Sequence, residues 1–201
     1  MSEDAGTVVE IVYDLKGGTL PGEYTFALWQ ELVRALPWLE TEEQAGLLPL
    51  RGARSGGAML LPQRAKLVLR LPQRLVPQAR QLSGRELEVA GHVLQVGAAR
   101  ERPLLAHPTL HAHLVASASG ENEFLEEVAE RLHELDIPCK WICGKHIELR
   151  DDEERVISGY SLVVYELNPE GSLRLQQEGL GGERRYGCGL FIPYKEISSL
   201  D

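Results

Sequence analysis

Along the first stretch, TVVEIVYDL, Val9, Ile11, Tyr13 and Leu15 alternate with Val8, Glu10, Val12 and Asp14, which predicts a half-buried strand. Beyond the turn signal GGTLPG the period lengthens. Leu28, Trp29, Leu32, Val33 and Leu36 fall at helical spacing, and Pro37 ends the run. GLLPLRG and AKLVLRLP predict two short strands around the tip ARSGGA, with Leu67, Leu69 and Leu71 opposite Lys66, Val68 and Arg70 in the second. Pro72 then opens an expected helix carrying Leu75, Val76, Ala79 and Leu82 on one face, Gly84 ends it, and ELEVAGHVLQVG supplies closing strand material. The order is β-α-β-β-α-β. It recurs downstream. TLHAHLVAS alternates, a helix follows with Phe124, Leu125, Val128, Leu132 and Leu135 on its apolar side, and IPCKWICG and VISGYSLVVYEL predict two strands around a charged hairpin containing DDEER. Asn168 and Pro169 form an N-cap and N1 pair for a last helix, and a glycine-rich loop leads to the strand GLFIP. The expected fold is α+β, two tandem ferredoxin-like units covering residues 1–104 and 105–201.

The 201 residues suit one domain or two small ones, and 43% hydrophobic with 25% charged residues is ordinary for a globular chain. No apolar run reaches the ~18 residues of a membrane span, and the acidic start MSEDAGTVVE does not fit a targeting peptide, so a cytoplasmic protein with no membrane partner is expected. Three cysteines make no secreted disulfide framework. Cys139, Cys143 and His146 have a zinc-like spacing, but strand alternation puts Cys139, Trp141 and Cys143 on one face, as core residues. No metal is assigned.

The net charge of −9 conceals its distribution. Residues 1–50 hold 2 Lys/Arg and 9 Asp/Glu, residues 51–102 hold 10 and 3, and residues 103–201 hold 9 and 18. One basic segment therefore lies between two acidic ones. Screening confines each charge to about 10 Å, so this segment is able to serve a polyanion despite the global sign, or else to form a solvated arginine-rich face.

The most specific local feature is EGLGGERRYGCGLF. Gly179, Gly181, Gly182, Gly187 and Gly189 flank Arg184 and Arg185, a combination that lets backbone N–H groups and guanidiniums converge on a phosphate. The alternative is a helix cap and a glycine-rich turn with exposed arginines. The loop lacks a Walker lysine and precedes a strand, so it matches neither common nucleotide fingerprint, and no cofactor is expected.

A tandem ferredoxin-like pattern ending in LQQEGLGGERRYGCGLFIP resembles the RAMP superfamily of CRISPR-associated proteins. LPLRGARSGGAMLLPQRAKLVLRLP, RPLLAHPTLHAHLV, WICGKHIEL and GYSLVVYELNPEGSLRLQQEGLGG look like the repeat-processing endoribonuclease of the type I-MYXAN subgroup, over Val9 to Pro193. The resemblance implies metal-independent cleavage of precursor CRISPR RNA within its repeats. It also implies attack of a ribose 2′-hydroxyl on the adjacent phosphate, leaving a 2′,3′-cyclic end. Many such relatives carry a catalytic histidine after the first helix. Here Leu48 and Pro49 occupy that region, and the first histidine is His92.

Two catalytic arrangements follow. In one, Arg51 and Arg54, with Lys66, stabilise the phosphorane electrostatically; in the other, His111 and His113, which share a strand face, do the acid–base work. That strand pair also fits a plain solvated face. Tyr24 is a further candidate because related enzymes use a tyrosine on the first helix. Arg64, Lys66, Arg70 and Arg74, together with the glycine-rich loop, are the expected RNA-binding groups. The partners expected are the precursor repeat and other effector subunits. A non-catalytic RAMP subunit that only holds guide RNA, and a metabolite-binding module, are the competing functions; the missing histidine favours the former, and fold alone cannot choose.

Overall fold

The computed structural model describes residues 6–150 and 155–194. They form two compact units: the first comprises residues up to Leu104 with Arg150–Arg155 and Arg184–Gly187, the second Leu105–Leu149, Val156–Glu183 and the chain from Cys188. Residues 151–154 of the anticipated DDEER hairpin lie outside the described residues.

In the first unit, β1 (Val8–Lys16) pairs antiparallel with β6 (Lys66–Pro72) and β8 (His92–Pro103). Adding β3 (Gly46–Leu47) and β7 (Glu86–Val89) gives a sheet ordered β3-β6-β1-β8-β7. β1 is not the half-buried strand its alternation predicted: Val8, Val9, Ile11, Val12, Tyr13 and Leu15 are all buried, with Glu10 beside them, because both faces of this central strand are covered. Helix α1 (Thr25–Ala35) buries Phe26, Leu28, Trp29 and Leu32. Its backbone ends two residues before Pro37, which starts a short 3-10 turn over Pro37–Glu40.

Three elements depart from the sequence pattern. The tip between Leu47 and Lys66 is a hairpin of β4 (Ala53–Ser55) and β5 (Ala58–Leu60), which joins β2 (Thr19–Pro21) in a separate three-stranded sheet. The helix expected after Pro72 breaks into a 3-10 turn, a single α-helical turn α2 (Val76–Ala79) and another 3-10 turn. Pro77 has no N–H to give, and little length remains before Gly84 adopts φ +84°. The buried Tyr13 hydroxyl, which donates to the Ala79 carbonyl over 2.7 Å, holds this broken segment on the sheet. Finally, ELEVAGHVLQVG is a hairpin of β7 and β8, turning at Ala90 and Gly91, both at positive φ.

The second unit carries β9 (Leu110–Ala116), α3 (Glu121–Glu134), β10 (Lys140–Arg150), β11 (Val156–Tyr165), α4 (Pro169–Glu178) and β12 (Ile192–Pro193), with sheet order β10-β11-β9-β12. Leu110, Ala112, Phe124, Val128, Leu132, Leu162, Val164 and Leu175 build its core. Phe124 is fully buried with its ring stacked on Tyr160 at 4.8 Å; truncating such a group costs about 3–5 kcal/mol. Asn168 caps α4 as expected, its Oδ1 accepting from the Gly171 amide at 2.7 Å. In both sheets the second, third, first and last strands of a β-α-β-β-α-β order stand side by side, β7 being an extra edge strand of the first. The architecture is mixed α and β with antiparallel sheets.

Candidate functional site

Beyond β3 the chain leaves the sheet but stays tethered. The Leu48 amide donates to the Val68 carbonyl at 3.0 Å and the Leu50 amide to the Tyr24 hydroxyl at 2.8 Å. Tyr24 stands at the start of α1 and is buried. Burial raises its pKa, against which the Leu50 amide and the Arg54 charge pull the other way. It is thus a neutral phenol whose oxygen accepts the Leu50 amide, and through that bond Tyr24 tethers the strand-to-hairpin segment. Gly52 allows that segment to lie on β5, where a Cβ would fall 2.5 Å from the Leu60 carbonyl oxygen. Arg51 and Arg54 flank Gly52. Both are exposed, and neither side chain makes a hydrogen bond or ion pair among the described residues.

Most of the remaining basic stripe is engaged. Glu10 accepts from Arg70 through one oxygen, at 2.7 and 3.3 Å, and from Arg102 through the other, at 2.6 and 2.9 Å. Arg70 is fully buried, and desolvation lowers its pKa against the pull of Glu10. The structure therefore removes Arg70 from the RNA-binding set: it lies on the polar face that alternation predicted, but that face is covered there, and the guanidinium is a structural ion. Lys66 pairs with Asp14, holding the aspartate below its usual carboxylate range, and Arg74 pairs with Glu42 at 2.7 Å. Arg64 is exposed with no such partner among the described residues.

Within the glycine-rich loop, the first unit takes Arg184–Gly187. Arg184–Tyr186 form a 3-10 turn closed by the Gly187 amide on the Arg184 carbonyl at 3.0 Å. Gly187 sits at φ +85°, where a Cβ would meet the Leu47 carbonyl and the Pro49 ring at 3.1 Å. The arginine turn is thereby pressed against the segment that carries Arg51. Tyr186 is buried beside Phe26, with ring centroids 4.5 Å apart, and Trp29 at 6.5 Å. Arg155 stacks over Tyr186 at 4.8 Å and donates to its hydroxyl at 3.0 Å.

In the second unit, Gly179 caps α4 at φ +66°. Gly189, also at φ +66°, leaves no room for a Cβ, which would fall 2.0 Å from the Leu180 carbonyl oxygen, and its amide donates to Leu114 of β9. Gly179, Gly187 and Gly189 are buried while Gly181 and Gly182 are exposed. The five-glycine cradle is corrected accordingly. Gly181, Gly187 and Gly189 let backbone meet backbone, a Cβ at Gly181 falling 3.0 Å from the Ala116 carbonyl oxygen, Gly179 ends the helix, and Gly182 is exposed with open space around it. Cys188 is fully buried, its thiol pushed up to about 12 by burial and by Glu183.

His111 and His113 share a face of β9. His111 is half-buried, 6.0 Å from the Tyr194 ring, and burial followed by the His113 charge lowers its pKa; His113 is exposed. Cys139, Trp141 and Cys143 pack against the core, and the Cys139 thiol donates to the Ile137 carbonyl. The residues that sequence reading missed are Tyr186 and Arg155. An aromatic between two arginines and a glycine was the available signal for the first; nothing local marked the second.

A family model described as Cas6 Crispr matches residues 9–196. The CRISPR-associated endonuclease Cas6 of Myxococcus xanthus strain DK1622 is 32% identical over 187 residues, covering 92% of this chain and 81% of that protein. Among solved structures, a Cas6-related protein of Pyrococcus furiosus superposes with a TM-score of 0.65 at 12% identity, covering 96% of this chain and all of the other. Thermus thermophilus Cse3, bound to an RNA representing a pre-cleavage complex, gives 0.53 at 16% identity over 92% and 98%. The two structural likenesses establish a shared fold, and the sequence matches establish descent. The chain belongs to the Cas6 family of CRISPR-associated endonucleases.

Proposed function

We propose that this protein cleaves precursor CRISPR RNA within its repeats, without metal, through a pair of ferredoxin-like units covering residues 1–104 and 105–201. One observation carries the chemical part: Arg51 and Arg54 are exposed cations with no carboxylate to neutralise them among the described residues, on a segment tethered by Tyr24, Gly52 and Gly187. The ribose 2′-oxygen attacks the adjacent phosphorus in line, and the bond from phosphorus to the 5′-oxygen breaks. The 2′-hydroxyl proton passes to solvent and the departing oxygen takes one up, so the products are a 2′,3′-cyclic phosphate and a 5′-hydroxyl. Negative charge gathers on the non-bridging oxygens in between, where two pre-positioned guanidiniums bind the phosphorane more strongly than the ground-state diester. Arg is a poor base at neutral pH, so its contribution is electrostatic. Arg64, Arg184, Arg185 and the exposed Gly182 hold phosphates of the repeat. Lys66 and Arg74, already paired with carboxylates, contribute less.

The test is single-turnover cleavage of an RNA containing the repeat, in EDTA, beside a control with deoxyribose before the scissile phosphate. Cleavage of the all-ribose RNA alone, ending in a cyclic phosphate, is expected. Tight binding without cleavage would make the protein a guide-holding subunit, the reading that the leucine and proline at 48 and 49 favour. Absence of binding would sink the RNA reading.

A further inference from the structure

Tyr186 is the centre of a cluster that the cleavage chemistry does not use. Its buried ring is tilted against Phe26, Arg155 lies over it at 4.8 Å and over Phe26 at 5.5 Å, and Arg185 lies over it at 5.8 Å. Arg155 also donates to the Tyr186 hydroxyl at 3.0 Å. A guanidinium that stacks on two rings and hydrogen-bonds one of them fixes that ring in position and in plane, because stacking and donation together leave few alternative rotamers. The ring belongs to the 3-10 turn that carries Arg184 and Arg185.

We infer that Arg155 is a positioning residue for RNA binding, acting through Tyr186 to hold the Arg184–Arg185 turn in the orientation that meets phosphate. The inference rests on the RNA reading given above for the turn's function; the clamp itself stands on the geometry. Arg155 shares the Tyr186 ring with Arg185, so removing it takes away one of the contacts that orient the ring and, through it, the turn. Phosphate contacts are charge-assisted and directional, so a mobile arginine retains attraction and loses the bidentate fit. The expected loss is in affinity, at nearly constant cleavage rate once the RNA is bound.

Two measurements on the full-length protein decide it. Amide hydrogen exchange without RNA, comparing wild type with Arg155→Ala, Arg155→Lys and Tyr186→Phe, reads the clamp alone. Arg155→Ala is expected to speed exchange in peptides spanning residues 180–190 while the rest of the first unit keeps its protection; Arg155→Lys, which retains a cation over the rings, recovers part of it. Unchanged exchange would overturn the clamp. Repeat-RNA affinity is then measured for Arg155→Ala, Arg185→Ala and the double variant. Arg155→Ala is expected to weaken binding about fivefold, and the double variant to lose clearly less than the two single losses combined, because residues acting through one another are not additive. Fully additive losses would contradict the inference and make Arg155 an RNA contact in its own right. Failure of the wild type to bind repeat RNA would refute the RNA reading, with the exchange result still deciding the clamp.

Discussion

Arg70 and Arg51 come from the same basic segment, yet the fold uses them in opposite ways. Arg70 stands in the middle of a sheet with Glu10 opposite it in the register, is wholly buried, and shares the carboxylate with Arg102. Arg51 stands on an irregular segment between two sheets, exposed and without a carboxylate partner among the described residues. A charge taken out of water must be matched in the folded state or the fold pays for it, so the first pair is committed to structure. A charge left in water with its backbone fixed costs little, and is available to a ligand. Local charge density therefore overstates the binding surface, and the difference between the two arginines lies in what pairs with them across the sheet.

The largest expected effect falls on the buried side. Glu10→Ala strands Arg70 without its carboxylate and should cost about 3–5 kcal/mol in chemical denaturation, while the folded fraction cleaves normally. Loss of cleavage without loss of stability would instead place Glu10 in the chemistry. On the exposed side, Arg64→Ala should leave stability unchanged and reduce the slope of log affinity against log salt by about 1, as expected for one phosphate contact. Tyr24→Phe removes the tether on Leu50 and should cost about 1 kcal/mol, together with a lower cleavage rate at unchanged RNA affinity. Arg74→Ala sits between the two groups: a half-exposed ion pair with Glu42 predicts a change under ~1 kcal/mol in stability and a minor one in binding.

The pH dependence separates the arginine mechanism from the histidine one. His111 has its pKa lowered by burial and by His113, so it is neutral at pH 7 and takes up a proton only below the usual histidine range. Were it the base, the rate would break downward as pH falls through that lowered value, and His111→Ala would abolish the break. With Arg51 and Arg54 supplying the catalysis, no break is expected near the histidine range, and His111→Ala should stay within about twofold of wild type.

Periodicity exposed much of this in advance. The strands β1, β6 and β9, the helical spacing of α1 and α3, and the Asn168–Pro169 cap all formed where the pattern put them, because each depends on short-range spacing, although β1 is buried on both faces instead of one. The β4–β5 hairpin and the broken helix around Pro77 were hidden. Pairing with β2, over 30 residues upstream, decided the first, and a missing amide donor decided the second. In the site, alternation correctly put Arg70 on the polar face but carried no information about Glu10. Likewise, a glycine-rich loop reads alike whether its glycines face a phosphate or, as at Gly187 and Gly189, the backbone of a neighbouring segment. Long-range partners separate these cases, and local spacing does not encode them.

The most direct test of the arginine-based mechanism is the single-turnover cleavage rate and the dissociation constant of the Arg51→Ala/Arg54→Ala double variant on one repeat RNA. Electrostatic stabilisation of the phosphorane predicts a rate reduced by about 10²-fold or more with affinity within a few fold of wild type. An equal loss of rate and affinity, or a rate that is unchanged, would contradict it and return these arginines to the role of ordinary phosphate contacts.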